Sequence, residues 1–322
     1  MLLSMIAVIG GFVLLAWSAD RTVLGASATA RNFGISPLVI GLTIVGFGTS
    51  APEMLVSGMA AWDGNTGLSI GNALGSNITN IALVLGVTAL VVPLTVQSDT
   101  VRREIPILLA VSLFAFVLMN DGYLGRLDGA LLMGGLALML VMVVSLGLKS
   151  RNGDPLEDEY TEEMPAAMTT GRAVFWLLFG IVVMLLASRL LVWGAVNIAQ
   201  AFGVSDLVIG LTIVAIGTSM PELMATLMSA RKNEHDLALG NIIGSNMFNL
   251  LGVLGLPGLI APDAFLPEVI MRDFPWMIGL TLALFVMSFG FRGPGRISRI
   301  EGGLLVAAYG AYMVMLYFSA IS

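Results

Sequence analysis

Cysteine is absent from the 322 residues, and His235 is the only histidine. The first absence excludes disulfides and thiolate metal sites. Together they leave a zinc or non-haem iron enzyme centre without its usual ligands. Charge is scarce too. Asp, Glu, Lys and Arg make up 11% of the chain, against roughly a quarter in ordinary soluble proteins. Fifteen basic residues under a net charge of −6 offer no basic surface for nucleic acid. What is plentiful is apolar sequence: 57% of residues are hydrophobic, with a mean hydropathy of +0.94. Long apolar runs recur along the whole chain. A bilayer core of ~30 Å takes ~20 apolar residues per helix, so the length suffices for about ten. Strands of a membrane barrel would alternate in polarity over about ten residues, and these runs do not. Leu2 to Trp17 has no basic n-region or clear small-residue cleavage site, so it reads as part of a retained helix.

Apolar spans are expected near residues 2–30, 37–61, 68–92, 104–119, 127–147, 173–201, 206–229, 238–260, 273–290 and 299–318. The first and sixth are long enough to need strong tilt. The fold class is therefore an all-α integral membrane protein with ten transmembrane helices. Positive charge sets the orientation. With the N-terminus outside, Arg21, Arg31, Arg102, Arg103, Lys149, Arg151, Arg172, Arg231, Lys232, Arg292, Arg296 and Arg299 fall on the cytoplasmic side. Only Arg126 and Arg272 fall outside, and Arg189 lies within a span. Both termini should face out of a cell membrane. Residues 149–172 form an acidic cytoplasmic linker, too short for a folded regulatory domain.

The linker separates two halves, 1–148 and 173–322, that repeat one another. Residues 35–86 align with 204–255 without a gap at a constant offset of 169, about half of them identical. ISPLVIGLTIVGFGTSAPE is answered by VSDLVIGLTIVAIGTSMPE, and GNALGSNITNIALVLG by GNIIGSNMFNLLGVLG. Five spans per half is an odd number, so the second half enters the membrane inverted. Such inverted repeats are typical of secondary transporters with a midplane site.

Glu53 and Glu222 lie inside otherwise apolar helices. A carboxylate there costs several kcal/mol unless paired or solvated, and marks a functional site by default. Glu53 and Ser76 each stand about 11–12 residues from the hairpin loop between them, roughly 15 Å deep. Glu222 and Ser245 flank a loop on the opposite side in the same way, so all four converge near the midplane. Gly-Thr-Ser-x-Pro-Glu precedes each glutamate. Pro52 and Pro221 lack an N–H for the carbonyls of Gly48 and Gly217, so each helix should kink or unwind there. Freed carbonyls in a membrane need a partner, and a cation is one. Gly46, Phe47, Ala215 and Ile216 can offer backbone oxygens, and Thr49, Ser50, Thr218 and Ser219 hydroxyls. Asn72, Ser76 and Asn80 make one polar stripe at i, i+4, i+8, repeated by Asn241, Ser245 and Asn249. For Asn72, Asn77, Asn241 and Asn246, interhelical hydrogen bonding and ion contact both remain open. Gly71 and Gly75, like Gly240 and Gly244, permit close helix approach. The inventory is all oxygen, which suits Ca²⁺ and the similar-sized Na⁺. Two carboxylates balance one Ca²⁺ or two Na⁺. Protonating them should inhibit, so Ca²⁺ uptake should fall towards acid pH.

The paired GTSxPE and GNxxGSNxxN motifs resemble the α-repeats of the sodium/calcium exchanger superfamily. The resemblance spans essentially the whole chain and is greatest to short prokaryotic members without a large regulatory loop. It implies Na⁺/Ca²⁺ antiport by alternating access, with the long first and sixth helices sliding on an eight-helix core. It implies no cofactor and no enzyme activity, with Ca²⁺ and Na⁺ as the transported partners in a lipid bilayer. Three Na⁺ per Ca²⁺ is the family expectation. By motif, Glu53 and Glu222 become the central ligands. Thr49, Ser50, Thr218, Ser219, Ser76, Ser245, Asn80 and Asn249 become their neighbours, joined by the carbonyls of Gly46 and Ala215. Some relatives, K⁺-dependent members among them, have Asp in place of Asn249, so the amide here weakens a K⁺-dependent reading. The alternative is an H⁺-coupled or K⁺-dependent divalent-cation antiporter using the same glutamates. Oligomeric state is left open. Asp20 and Arg189 hold equivalent places with opposite charge; they could form an ion pair if the long helices pack together there, or snorkel to water independently.

Overall fold

The structure is a computed structural model, and it describes residues 1–34, 46–96, 99–149, 168–289 and 295–321. The expected span start at 37–45 and most of the linker lie outside these residues. The helices in chain order are α1 (Leu2–Asn32), α2 (Gly46–Trp62), α3 (Thr66–Val91), α4 (Asp99–Leu118) and α5 (Arg126–Lys149). After the linker come α6 (Thr170–Phe202), α7 (Asp206–Thr218), α8 (Met220–Arg231), α9 (His235–Ile260), α10 (Val269–Ser288) and α11 (Arg299–Ile321). Among the described residues, six helices are long and apolar enough to cross a membrane, and the bent pair α7–α8 makes a seventh. That falls short of the expected ten. α2 starts where description resumes, and α4 opens with Asp99, Arg102, Arg103 and Glu104.

Between the most and the least apolar spans, burial runs against hydropathy, as expected where the solvent is lipid. The most apolar helix, α6, has a mean hydropathy of 2.4 with 28% of its window buried. In α9 the values are 1.5 and 94%. α1 turns Leu2, Leu3, Ile6, Ile9 and Val13 outward and keeps Ser4, Ala7, Gly11, Ser18 and Ala19 inside. Exposed apolar side chains on this scale mark a membrane surface. α3 and α9, whose polar stripes need a protein environment, form the centre.

Small residues let the long helices α1 and α6 touch backbone to backbone. A Cβ on Gly194 would stand 2.8 Å from the Ser4 carbonyl, and one on Gly25 would meet the backbone of Ala173 and Leu177. These two glycines are repeat mates. Asp20 and Arg189 do not pair. Asp20 sits 3.5 Å from its neighbour Arg21 with its side chain 68% exposed, and Arg189 is exposed on α6. Both residues stand at exposed positions of their helices, away from the packed face that α1 and α6 share.

The two halves are interlaced. The end of α3 packs on α11, and the end of α9 packs on α5. Strand β1 (Leu94–Val96) after α3 pairs antiparallel with β4 (Gly295–Ile297) before α11. Strand β3 (Asp263–Ala264) after α9 pairs with β2 (Tyr123–Leu124) before α5. Outside the central helices, Asp273 of α10 is fully buried. It accepts from Arg272 Nε at 2.7 Å and from Tyr312 Oη of α11 at 2.9 Å. That pairing satisfies a buried charge.

Candidate cation site

Four structural units meet at the centre: α2, α3, the α7–α8 pair and α9. The proline expectation holds on one side only. α7 and α8 bend by 42° at Ser219, whose φ and ψ are −82° and 5°. Pro221 then stands in the first turn of α8 beside Glu222. A helix N-terminus favours a nearby negative charge, so the break itself supports the carboxylate. In α2, by contrast, the helix runs through Pro52 from Gly46 to Trp62. Losing one backbone bond does not end a helix that neighbouring helices hold in place.

Glu53, Glu222, Ser50, Ser219, Ser76, Ser245, Asn80 and Asn249 have no exposed surface, and Thr49 and Thr218 almost none. Glu53 lies near enough to Glu222 to feel its charge, with the Thr218 and Ser219 hydroxyls beside its carboxylate. Ser245 Oγ donates to Glu222 Oε1 at 3.3 Å and lies 3.2 Å from Thr49 Oγ1. Thr49 Oγ1 is also 3.4 Å from Asn241 Oδ1. On the other side, Thr218 Oγ1 reaches Asn72 Oδ1 at 3.2 Å. Each Gly-Thr-Ser segment thus touches the facing helix of the opposite half.

Many polar atoms here have no protein partner within hydrogen-bonding geometry. Among the described residues they include both carboxylate oxygens of Glu53, Oε2 of Glu222, the Ser50 and Ser219 hydroxyls, Asn80 Oδ1 and both amide atoms of Asn249. Buried polar atoms are nearly always satisfied. A concentration of lone pairs left over beside two carboxylates is what a desolvated cation requires. Among the described residues no three His, Cys, Asp or Glu side chains cluster, so the negative charge comes from this pair alone.

The other expected ligands divide. The Ala215 carbonyl accepts from the Ser219 N–H at 3.1 Å, with the Thr218 hydroxyl at 3.4 Å. Gly46 opens the described part of α2, and the residues before it lie outside the description. Asn80 Nδ2 donates to Asn246 Oδ1 at 3.0 Å, which draws Asn246 into interhelical bonding. Asn77 instead donates to Ala73 O of its own helix at 2.9 Å.

Two features escaped the sequence reading. Asn80 lies in a π-helical stretch, Thr79–Leu85, and Asn249 begins another, Asn249–Val253. π-turns recur at functional sites, and no proline or glycine inside Thr79–Leu85 announces this one. The second is Ser57 with its repeat mate Thr226. They lie one turn beyond the glutamates and accept from Asn72 at 3.0 Å and Asn241 at 3.1 Å. Their signal was a hydroxyl at the same place in both repeats. Gly48 and Gly217 receive side chains of α1: a Cβ at Gly48 would meet Val23, and one at Gly217 would meet Phe12. The close approach of α3 to α7 at Gly71 and Gly75 is present, with a Cβ on Gly75 falling 2.7 Å from Leu211 Cα. The segment matching α7 in the first half lies outside the described residues.

Comparison with known proteins gives the same direction. A family model for the sodium/calcium exchanger protein matches residues 3–145 and 172–318. The chain is 51% identical over 319 residues to CaxA of Alkalimonas amylolytica, covering 99% of this chain and 100% of that one. It is 31% identical over 346 residues to the sodium/calcium exchanger MaX1 of Methanosarcina acetivorans, covering 96% and 97%. Among solved structures, the sodium-calcium exchanger NCX_Mj soaked with Na⁺ and Sr²⁺ superposes with a TM-score of 0.69 at 32% identity, over 97% of this chain and 98% of that one. A chain matched along nearly its whole length, with buried carboxylates at its centre and lipid-facing helices around them, belongs to the sodium/calcium exchanger family: it is a membrane ion antiporter and not an enzyme.

Proposed function

We propose that this chain exchanges Na⁺ for Ca²⁺ by alternating access at the site shared by Glu53 and Glu222. The observation that carries the reading is the set of unpartnered buried oxygens around the two carboxylates. Two negative charges neutralise one Ca²⁺ or two Na⁺, so the ions compete for one set of ligands. Competition within a single site is sufficient for exchange. Thr49, Ser50, Ser76, Asn80, Thr218, Ser219, Ser245 and Asn249 complete the ligand set, with the Gly46 and Ala215 carbonyls. The architecture in this reading is ten transmembrane helices as two inverted five-helix repeats, residues 1–148 and 173–322, joined by the acidic linker 149–172. The interlaced strand pairs and helix contacts support it, because each recurs with the halves exchanged. Both termini face out and the linker faces the cytoplasm. A cell-membrane location is supported by a relative of 43% identity over 320 residues, covering 99% of this chain and 98% of that one, the inner membrane protein YrbG of Escherichia coli.

The test is radioactive Ca²⁺ flux in proteoliposomes under imposed Na⁺, K⁺ or H⁺ gradients. An outward Na⁺ gradient should drive Ca²⁺ uptake, and Glu53→Gln or Glu222→Gln should each abolish it. Uptake driven by a proton gradient alone would assign the coupling to H⁺, and a K⁺ requirement would assign it to joint transport. Exchange retained by either mutant would refute the shared site.

A further inference from the structure

We propose that Asn72 and Asn241 are positioning residues, not ion ligands: each holds the site threonine of the opposite repeat in place. The inference rests on the exchange reading above. Asn72, on α3, has neither end of its amide to spare. Its Nδ2 donates to the backbone carbonyl of Glu53 at 3.1 Å and to Ser57 Oγ at 3.0 Å, both on α2. A carbonyl only accepts, so that contact orients the amide and sends Oδ1 the other way. There Oδ1 accepts from Thr218 Oγ1 at 3.2 Å, with Ser76 Oγ at 3.5 Å. Thr218 Oγ1 also lies 3.0 Å from the Val214 carbonyl. The Ala215 carbonyl lies at 3.4 Å as well. The strap is made when the single hydroxyl hydrogen goes to Asn72 Oδ1, and the hydroxyl then keeps its lone pairs for a cation.

The same strap recurs with the repeats exchanged. Asn241 Nδ2 donates to Thr226 Oγ1 at 3.1 Å, and its Oδ1 accepts from Thr49 Oγ1 at 3.4 Å. Thr226 is the repeat mate of Ser57, so the hydroxyl and threonine contacts of Asn72 recur at Asn241, while the bond to the glutamate backbone is on the Asn72 side. Both asparagines are buried. Each ties three helices together around one glutamate, which makes the separation of carboxylates and hydroxyls a property of the amide.

An aspartate separates positioning from ligation. Asn72→Asp keeps shape and oxygen, adds charge and loses both N–H donors. A direct ligand would then hold Ca²⁺ as well or better. A positioning amide would instead set a carboxylate oxygen against the Glu53 carbonyl and release the strap. The readouts are the Ca²⁺-dependent rise in melting temperature of purified protein and the Ca²⁺ half-saturation of flux. Asn72→Asp and Asn72→Ala should both raise half-saturation about tenfold. Asn72→Ala should add little to the loss already caused by Thr218→Val, since it acts through that hydroxyl. Normal or tighter Ca²⁺ binding by Asn72→Asp, or additive losses, would overturn the proposal. If Asn72→Asp does not fold, Asn241→Asp judged against Thr49→Val puts the same question. Wild-type protein without a Ca²⁺-dependent shift, or Glu53→Gln with a normal one, would overturn the exchange reading and this inference with it. A shift that needs Glu53 but survives in Asn72→Asp would overturn this inference alone.

Discussion

At the scale of single residues the two glutamates are repeat mates with different surroundings. Ser245 donates to Glu222 at 3.3 Å. Its mate Ser76 has turned 3.5 Å towards Asn72 Oδ1, and both Glu53 oxygens stay free. Asn249 and Asn80 differ in the same way. Asn80 is pinned by Asn246, while both ends of the Asn249 amide lack a protein partner among the described residues. If the proposed site holds an ion, Asn249 is the neutral side chain whose charge is easiest to change. Asn249→Asp should lower the Ca²⁺ half-saturation at alkaline pH by about tenfold, because affinity at an oxygen site rises with ligand charge. It should also steepen the loss of uptake on acidification, since a third crowded carboxylate takes up protons more readily. Half-saturation measured at pH 6.5 and 8.5 tests both. An unchanged value at pH 8.5 would place Asn249 outside the ion's reach.

Helices make these differences possible. The break at Ser219 and the π-stretches at Thr79 and Asn249 put irregular backbone where protein encloses it, a setting in which a membrane tolerates it. α1 lies across both Gly-Thr-Ser segments, with Val23 on Gly48 and Phe12 on Gly217. Eleven residues separate Val23 from Phe12 along α1, a rise of about 16 Å. One long helix therefore spans the site from side to side. Gly217→Ala would drive a methyl into the Phe12 ring and should cut exchange at least about tenfold, within the usual cost of overpacking. Phe12→Ala in the same chain should restore most of the rate, which initial Ca²⁺ uptake would record. Failure of the second substitution to rescue would place the effect of Gly217→Ala in α7 itself.

For the whole molecule, lipid reverses the usual relation of hydropathy to depth. The most apolar span, α6, is mostly outside and the least apolar, α9, almost wholly within, while α10 and α11 lie mostly outside at a hydropathy of 1.6. The inversion of the repeats has a direct test, because the chain supplies its own cysteine-free background. Asp63 and Lys232 are repeat mates, both exposed at hairpin turns. Asp63→Cys should react with a membrane-impermeant maleimide from outside the cell, and Lys232→Cys only after the membrane is opened. Reaction of both from one side would eliminate the inverted arrangement. Much of the fold was legible from apolar runs, and helix limits such as Thr170–Phe202 and Arg299–Ile321 fall within a few residues of the expected spans. For Asp20 and Arg189 the sequence left pairing and separate exposure both open, because sequence position does not say which way a side chain points from a helix, and the structure shows them apart.

Sequence by itself determined that the chain lives in a membrane, that it repeats, and that two carboxylates sit among hydroxyls and amides inside apolar helices. Composition, periodicity and offset are local or additive properties, and each can be counted along a chain. Only the tertiary structure decided which atoms are spent on one another and which are left over. Asn72 is consumed by Glu53, Ser57 and Thr218, whereas Asn249, drawn from the same motif, is free. The physical reason is that a hydrogen bond depends on distance and direction between helices far apart in sequence. Two identical motifs in inverted halves therefore need not make identical bonds. Oxygens with no protein partner are what mark this centre as a place for an ion.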